Sequence, residues 1–174
     1  KYLGYIYENW LQIPFNSLQR GPSTDAKKIW INDTSLAVNI CYEDVFGNEM
    51  VSRYDSKGGM PNLYVNISND AWYGKSIAAK QHLQISQARA IETGKMMVRA
   101  TNTGVTAFID IDGKVLKELP QFMSGTLTHT VQGYKGRTPY TFFTNTPILL
   151  LSLSILLLYF LRSLFNFYKI KSLK

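Results

Sequence analysis

From Leu36 to Ile40 apolar residues dominate and partly alternate, which predicts a buried strand running into Cys41. Glu43 and Asp44, followed by Val45, Phe46 and Met50, read as the opening turns of a helix that reaches about Tyr54. Gly58 and Gly59 break that pattern, Leu63 to Ile67 predicts a second strand, and a polar loop from Ser68 to Gly74 follows. Ala78, Ile85, Ala88 and Ile91 then recur at helical spacing, predicting a helix from about Ser76 to Thr93 with Gly94 as its stop. Strands Met96 to Thr101 and Val105 to Ile111 bracket the turn residues Asn102, Thr103 and Gly104, and Asp112-Gly113 reads as a hairpin turn into Val115 to Leu119. A last strand, about Gly125 to Val131, completes an α/β layered domain whose helices cover one face of a sheet.

The chain closes on a different pattern. The 24 residues from Thr138 to Leu161 carry no charge and end in the apolar run Pro147 to Leu161, relieved only by Ser152, Ser154 and Tyr159. About 20 apolar residues cross a bilayer as a helix. A core helix of this length would carry a polar stripe, so a transmembrane helix is expected over 138–161, after a domain over 1–137 and before a basic tail over 162–174. Tyr140, Phe142 and Phe143 at one end, with Tyr159 and Tyr168 at the other, are placed as interfacial anchors.

Composition sharpens this in three ways. A chain of 174 residues, 45% hydrophobic and 18% charged, suffices for the core of one domain. Its net charge of +7 is uneven: Arg162, Lys169, Lys171 and Lys174 lie beyond the span with no acid, leaving +3 for residues 1–137. The basic excess is mainly a membrane-proximal tail, which argues against a nucleic-acid partner, and by the positive-inside rule the tail is cytoplasmic and the domain faces outward. The start at Lys1, without Met or a leader, suggests the C-terminal part of something longer. Residues 1–33 scatter Tyr2, Tyr5, Tyr7, Trp10, Phe15 and Trp30 among turn residues, as an apolar entrance, a membrane-surface segment or ordinary core.

Cys41 is the only cysteine, so it staples nothing. At a strand-to-helix junction the unpaired N–H groups of the helix favour negative charge, which suits a nucleophilic thiolate; the alternative is a small buried hydrophobe. The backbone N–H of Tyr42 is placed to receive a developing oxyanion, and Glu43 to favour the helix start. Of the two histidines, His82 lies within a predicted helix and His129 in a predicted strand, so a Cys/His dyad depends on tertiary contact. No metal-ligand spacing and no phosphate-binding glycine loop occurs, and no cofactor is expected.

Five motifs carry a resemblance. Asn39-Ile40-Cys41-Tyr42-Glu43, then Val65 to Gly74, Gln81-His82-Leu83-Gln84, Ala88-Arg89-Ala90-Ile91-Glu92 and Arg99 to Gly104 together resemble the apolipoprotein N-acyltransferases, integral inner-membrane members of the nitrilase or carbon-nitrogen hydrolase superfamily. The resemblance runs from about residue 30 to the end. It implies the C-terminal part of a nitrilase-like α-β-β-α sandwich followed by one C-terminal transmembrane helix, in a multi-pass protein of the bacterial inner membrane with a periplasmic catalytic domain. It also implies an acyltransferase. Its cysteine, matched by Cys41, takes an acyl chain from a phospholipid such as phosphatidylethanolamine as a thioester and passes it to the amine of a diacylglyceryl-cysteine apolipoprotein.

The superfamily's glutamate base and its lysine belong to segments that would precede Lys1, and Glu8, Lys27 and Lys28 do not match their motifs, so this chain alone is expected to be inactive. Glu43 matches a carboxylate beside the nucleophile in the family, which the resemblance implies orients the site. Trp72 and Tyr73 are expected as a lid or acyl-chain contact, with plain packing as the alternative, and Asn69, Arg99 and Asn102 as substrate contacts or as braces of their loops. A membrane-anchored amidase using the same thioester, and a non-catalytic membrane-tethered binding module, are the alternatives.

Overall fold

The structure, a computed structural model, describes residues 28–55 and 59–171. A six-stranded sheet runs in chain order: β1 (Ile29–Ile31), β2 (Thr34–Ile40), β3 (Leu63–Ser68), β4 (Met96–Thr101), β5 (Thr106–Ile109) and β6 (Val115–Leu119). The central strands β2, β3 and β4 are parallel, and β1, β5 and β6 add antiparallel edges. Parallel neighbours need crossovers. The first consists of a short 3-10 helix (Cys41–Val45) and α1 (Gly47–Asp55), the second of another 3-10 helix (Asp70–Tyr73) and α2 (Ala78–Thr93). Both 3-10 turns therefore lie at the carboxyl ends of parallel strands, where open α/β sheets place their sites.

Strand alternation sorts the sheet into two faces. On the helix side, Ala37, Tyr64, Met97 and Ile109 are paired in register and pack with Met50, Tyr54, Leu83 and Ala90 into the core. Two residues further along the strands, the register row on this face turns polar: Asn39, Asn66 and Arg99, all buried. The opposite face presents Val38, Val65, Val98 and Phe108 in one row and the exposed Ile40 and Ile67 in the next.

The predicted strand at Gly125 to Val131 is not a strand: the segment is irregular. It runs over the β5–β6 corner, where Lys117 Nζ donates to the Thr128 carbonyl at 3.0 Å and His129 lies 5.5 Å from Phe108, ring to ring. Its alternation finds no partner strand among the described residues. The helix expected from Glu43 is also divided, into the 3-10 turn and α1. The uncharged run divides too, into α3 (Pro139–Phe143) and the long α4 (Thr146–Lys171), with Thr144 at φ +48° between them. At 1.5 Å per residue the 26-residue α4 is about 39 Å long. Its window Thr146–Ser163 is apolar enough to cross a membrane and is nowhere buried against the rest of the chain. Of the aromatic opening segment, Tyr2 to Phe15 lies outside the described residues, as do Glu8 and Lys27, whereas Trp30 stands exposed on β1.

Candidate active site

The end of β2 brings Cys41 to the surface of the sheet's carboxyl edge. Its backbone is in the left-handed region at φ +52°, an unfavourable conformation for a residue with a Cβ, so the chain turns sharply here and leaves the side chain half-buried. Surrounding groups hold the turn. Asn66 Nδ2 donates to the Cys41 carbonyl at 2.9 Å and to Asn39 Oδ1 at 2.6 Å. Glu43 reaches back: Oε2 accepts the Ile40 N–H at 2.7 Å, and Oε1 takes both Arg53 Nη atoms at 3.1 Å. Glu43 thus braces the turn from behind. The expected helix dipole shrinks to that of a five-residue 3-10 turn, whose first N–H groups, Tyr42 among them, have no acceptor within the turn.

Beneath the turn lies a buried ionic cluster. His82, from α2, is sealed between two carboxylates: Nε2 is 2.9 Å from Asp44 Oδ1 and Nδ1 is 3.1 Å from Asp70 Oδ1. Burial disfavours the imidazolium, but the hydrogen bonds to Asp44 and Asp70 outweigh it and raise its pKa to about 9. Arg99 completes the cluster, with Nη1 3.3 Å from Asp44 Oδ2 and 2.6 Å from Ser86 Oγ, and Nη2 3.2 Å from Asp70 Oδ2. Ser86 and Ser68 donate to Asp44 and Asp70 at 2.5 Å each. Two cations and two anions balance, which is what lets such groups be buried at all.

This cluster ties the turn carrying Cys41, through Asp44, to the turn carrying Trp72 and Tyr73, through Asp70. His82 also stacks on the Tyr42 ring, centroids 5.3 Å apart, and Tyr73 meets Tyr42 edge-on at 5.9 Å. Burial, and then the adjacent Tyr42 and Cys41, push the Tyr73 hydroxyl upward, so it stays a neutral phenol. Trp72 is 68% exposed and Tyr42 and Phe46 about half so, giving the turns an apolar rim.

The expected residues divide accordingly. Cys41, Tyr42, Glu43, Trp72 and Tyr73 are brought together. Arg99, expected as a substrate contact, is buried under the turns and bears on the site through Asp44 and Asp70. Asn69 and Asn102 brace the second turn: Asn102 Nδ2 donates to Asn69 Oδ1 at 2.6 Å, while Asn102 Oδ1 accepts the Asp70 N–H at 3.0 Å. His82 has both ring nitrogens engaged, which removes it as a proton acceptor for Cys41, and His129 packs on Phe108 instead. Sequence reasoning passed over Asp44, Asp70 and Ser86. The signal was His82 and Ser86 four residues apart among Ala79, Leu83 and Ala90, two polar groups on the buried face of one helix.

Residues 13–140 match the carbon-nitrogen hydrolase family. Among curated proteins, the chain is 49% identical over 138 residues to an apolipoprotein N-acyltransferase of Nitrosomonas europaea, covering 79% of this chain and 27% of that protein. It is 42% identical over 156 residues to another of Chromobacterium violaceum, covering 90% and 29%. The chain therefore spans little more than a quarter of the length of these relatives. A solved CN-hydrolase superfamily protein from Xanthomonas campestris aligns at 19% identity with a TM-score of 0.46, over 56% of this chain and 40% of that one.

Proposed function

The chain belongs to the carbon-nitrogen hydrolase family, and from that premise we propose that it is part of an apolipoprotein N-acyltransferase in which Cys41 carries the acyl group. The observation that supports this most is Cys41 itself, a half-buried thiol at a sharp turn on the carboxyl edge of a parallel sheet. Similarity to proteins named for that activity gives the reaction class.

In the first step the Cys41 sulfur, its proton passed to a base, attacks the carbonyl carbon of a phospholipid acyl ester. A C–S bond forms, the ester C–O bond breaks, and the lysophospholipid alkoxide leaves with the proton. In the second step the free amine of a diacylglyceryl-cysteine apolipoprotein attacks the thioester carbon. A C–N bond forms, the C–S bond breaks, and the proton lost by the amine nitrogen passes through the base to the sulfur, which restores the thiol. The Tyr42 N–H meets the oxyanion in both steps. Glu43 orients the turn through Ile40 and Arg53, and Trp72 and Tyr73 contact the acyl chain across the apolar rim. Asn69, Arg99 and Asn102 act from beneath by holding the two turns together. Helix α4 spans the bacterial inner membrane and keeps the domain, on its periplasmic side, beside both lipid substrates.

Mass spectrometry after incubation of the full-length protein with phosphatidylethanolamine tests this. A mass gain of one acyl chain on the Cys41 peptide, removed by hydroxylamine, is the expected result. A Cys41→Ala variant that still forms triacylated lipoprotein overturns the assignment.

A further inference from the structure

The approach to α4 is fastened to the domain by side-chain hydrogen bonds. Thr138 Oγ1 donates to the Glu92 carbonyl at the end of α2, its own carbonyl accepts the Thr141 side chain at 2.8 Å, and Thr141 is buried. This fixes α3 against the helix layer of the domain. On its inner side, the Tyr140 hydroxyl donates to Asn48 Oδ1 at 3.2 Å, and Gly47 leaves no room for a Cβ beside the Tyr140 hydroxyl and the Arg89 guanidinium. Gly47 and Asn48 directly follow Phe46, which caps the turn Cys41–Val45.

On its outer side, α3 presents Phe142 and Phe143, each 60% exposed, and Phe46, the neighbour in sequence of Gly47, is 55% exposed. Only Thr144 and Asn145 separate Phe143 from the start of the apolar α4. Charge follows the same geography: no acidic residue occurs after Glu118, whereas Lys135 and Arg137 stand exposed just before α3, the Arg137 guanidinium 4.1 Å from the centre of the Phe142 ring. Aromatic rings next to cationic side chains, immediately outside an apolar helix, match the chemistry of the headgroup layer, with ring bodies among the glycerol esters and cations at the phosphates.

We infer that α3 together with the Phe46–Asn48 corner forms one continuous surface that rests in the phospholipid headgroup layer, so that the nucleophile turn is held at a fixed height above the bilayer. This rests on α4 being a membrane span. Its consequence is positional: Cys41 stands five residues before Phe46, and the ester bonds of a phospholipid lie at the depth these aromatics would occupy.

Depth measurement tests it without reference to activity. In full-length protein carrying Cys41→Ala, single cysteines at Phe46→Cys, Phe142→Cys, Leu156→Cys and Asp112→Cys are labelled with an environment-sensitive fluorophore and reconstituted in phosphatidylethanolamine and phosphatidylglycerol vesicles. Labels at 46 and 142 are expected to shift to the blue and to be quenched by lipids bearing a shallow nitroxide, the label at 156 by a deep nitroxide, and the label at 112 by aqueous iodide alone. Iodide quenching at 46 or at 142 comparable with that at 112, with 156 still deep, overturns the surface while leaving the span intact. Loss of deep quenching at 156 overturns the span and this inference with it, whereas the acyl-transfer proposal is judged separately by the mass of the Cys41 peptide.

Discussion

Nε2 of His82 sits 2.9 Å from Oδ1 of Asp44, across 38 residues of sequence, and both side chains are sealed from solvent. Nδ1 lies 3.1 Å from Asp70 Oδ1 and also 3.1 Å from Arg99 Nη2, and the imidazolium is the form that donates to both carboxylates. His82 is therefore a charged rivet between the turn of Cys41 and the turn of Trp72.

Its pKa of about 9 sets a pH window. Because the folded value lies above the unfolded one near 6.5, the stabilisation is complete below about pH 6.5 and is lost as pH rises through about 9; a shift of this size corresponds to about 3 kcal/mol. Asp70 acts in the opposite sense. Burial works against its charge, but hydrogen bonds from His82 and Ser68 and the charge of Arg99 hold its pKa below the ordinary carboxylate value. Its contribution is therefore present above about pH 4 and is lost as pH falls further. Nitrogen NMR of labelled histidine is expected to show a doubly protonated His82 ring at pH 7, titrating near 9. A neutral ring at pH 7 overturns the assignment.

Removing one member of the cluster leaves buried charges unmatched. Asp44→Asn is expected to destabilise the domain by about 3 to 5 kcal/mol, the range for breaking a buried ion pair from one side. Asp44→Asn combined with His82→Gln takes away one charge of each sign. It is expected to cost less than the sum of the two single changes, as a double-mutant cycle by thermal unfolding would measure. Additivity would mean that the two side chains do not act as a pair.

Gly104 illustrates a constraint of space. A Cβ at this position would enter the Asp70 carboxylate, which is held from its other sides by His82, Ser68 and Arg99. Gly104→Ala is expected to destabilise by about 1 to 3 kcal/mol, as overpacking does. It should also lower the His82 pKa by displacing one of its two acceptors. An unchanged unfolding temperature and an unchanged histidine titration would contradict this.

The strands and α2 were legible because their patterns report burial directly: alternation over Leu36 to Ile40, helical recurrence from Ala78 to Ile91, and Gly94 at φ +62° as the stop. The ionic cluster was not, because nothing local separates Asp44 from an ordinary acid at a helix start. Its role comes from His82 and Ser86, which only the fold brings beside it. Arg99 and Asn66 interrupt apolar strands at matched positions, yet which face they line depends on register between β3 and β4. Gly125 to Val131 shows the converse: its alternation describes a strand, but a strand also needs a neighbour to pair with.

Glu43 separates charge from acceptor geometry. Its pair with Arg53 is more than one-third exposed on the carboxylate side, so solvent leaves it worth less than about 1 kcal/mol. The 2.7 Å bond from the Ile40 N–H matters more, because it satisfies a backbone donor at the entrance to the turn. Glu43→Gln, which keeps an acceptor oxygen, is expected to change stability by less than about 1 kcal/mol, and Glu43→Ala to cost about 0.5 to 2 kcal/mol. Equal losses in chemical unfolding would mean that the ion pair, rather than the backbone bond, holds the turn.

The left-handed backbone at Cys41 is open to a direct test of strain. A residue with a Cβ loses roughly 1 to 2 kcal/mol at φ near +50°, whereas glycine adopts that conformation freely. Glycine in turn gives up about 0.4 to 1 kcal/mol through the greater freedom of its unfolded chain. The difference leaves Cys41→Gly more stable than Cys41→Ala by up to about 1.6 kcal/mol. Both variants lack the sulfur, so their comparison isolates the backbone from the chemistry. Unfolding midpoints measured side by side are expected to fall in that order. If Cys41→Ala proves the more stable of the two, the turn is not strained, and the sharp exposure of the thiol at the end of β2 must be held by Asn66 and Glu43 alone.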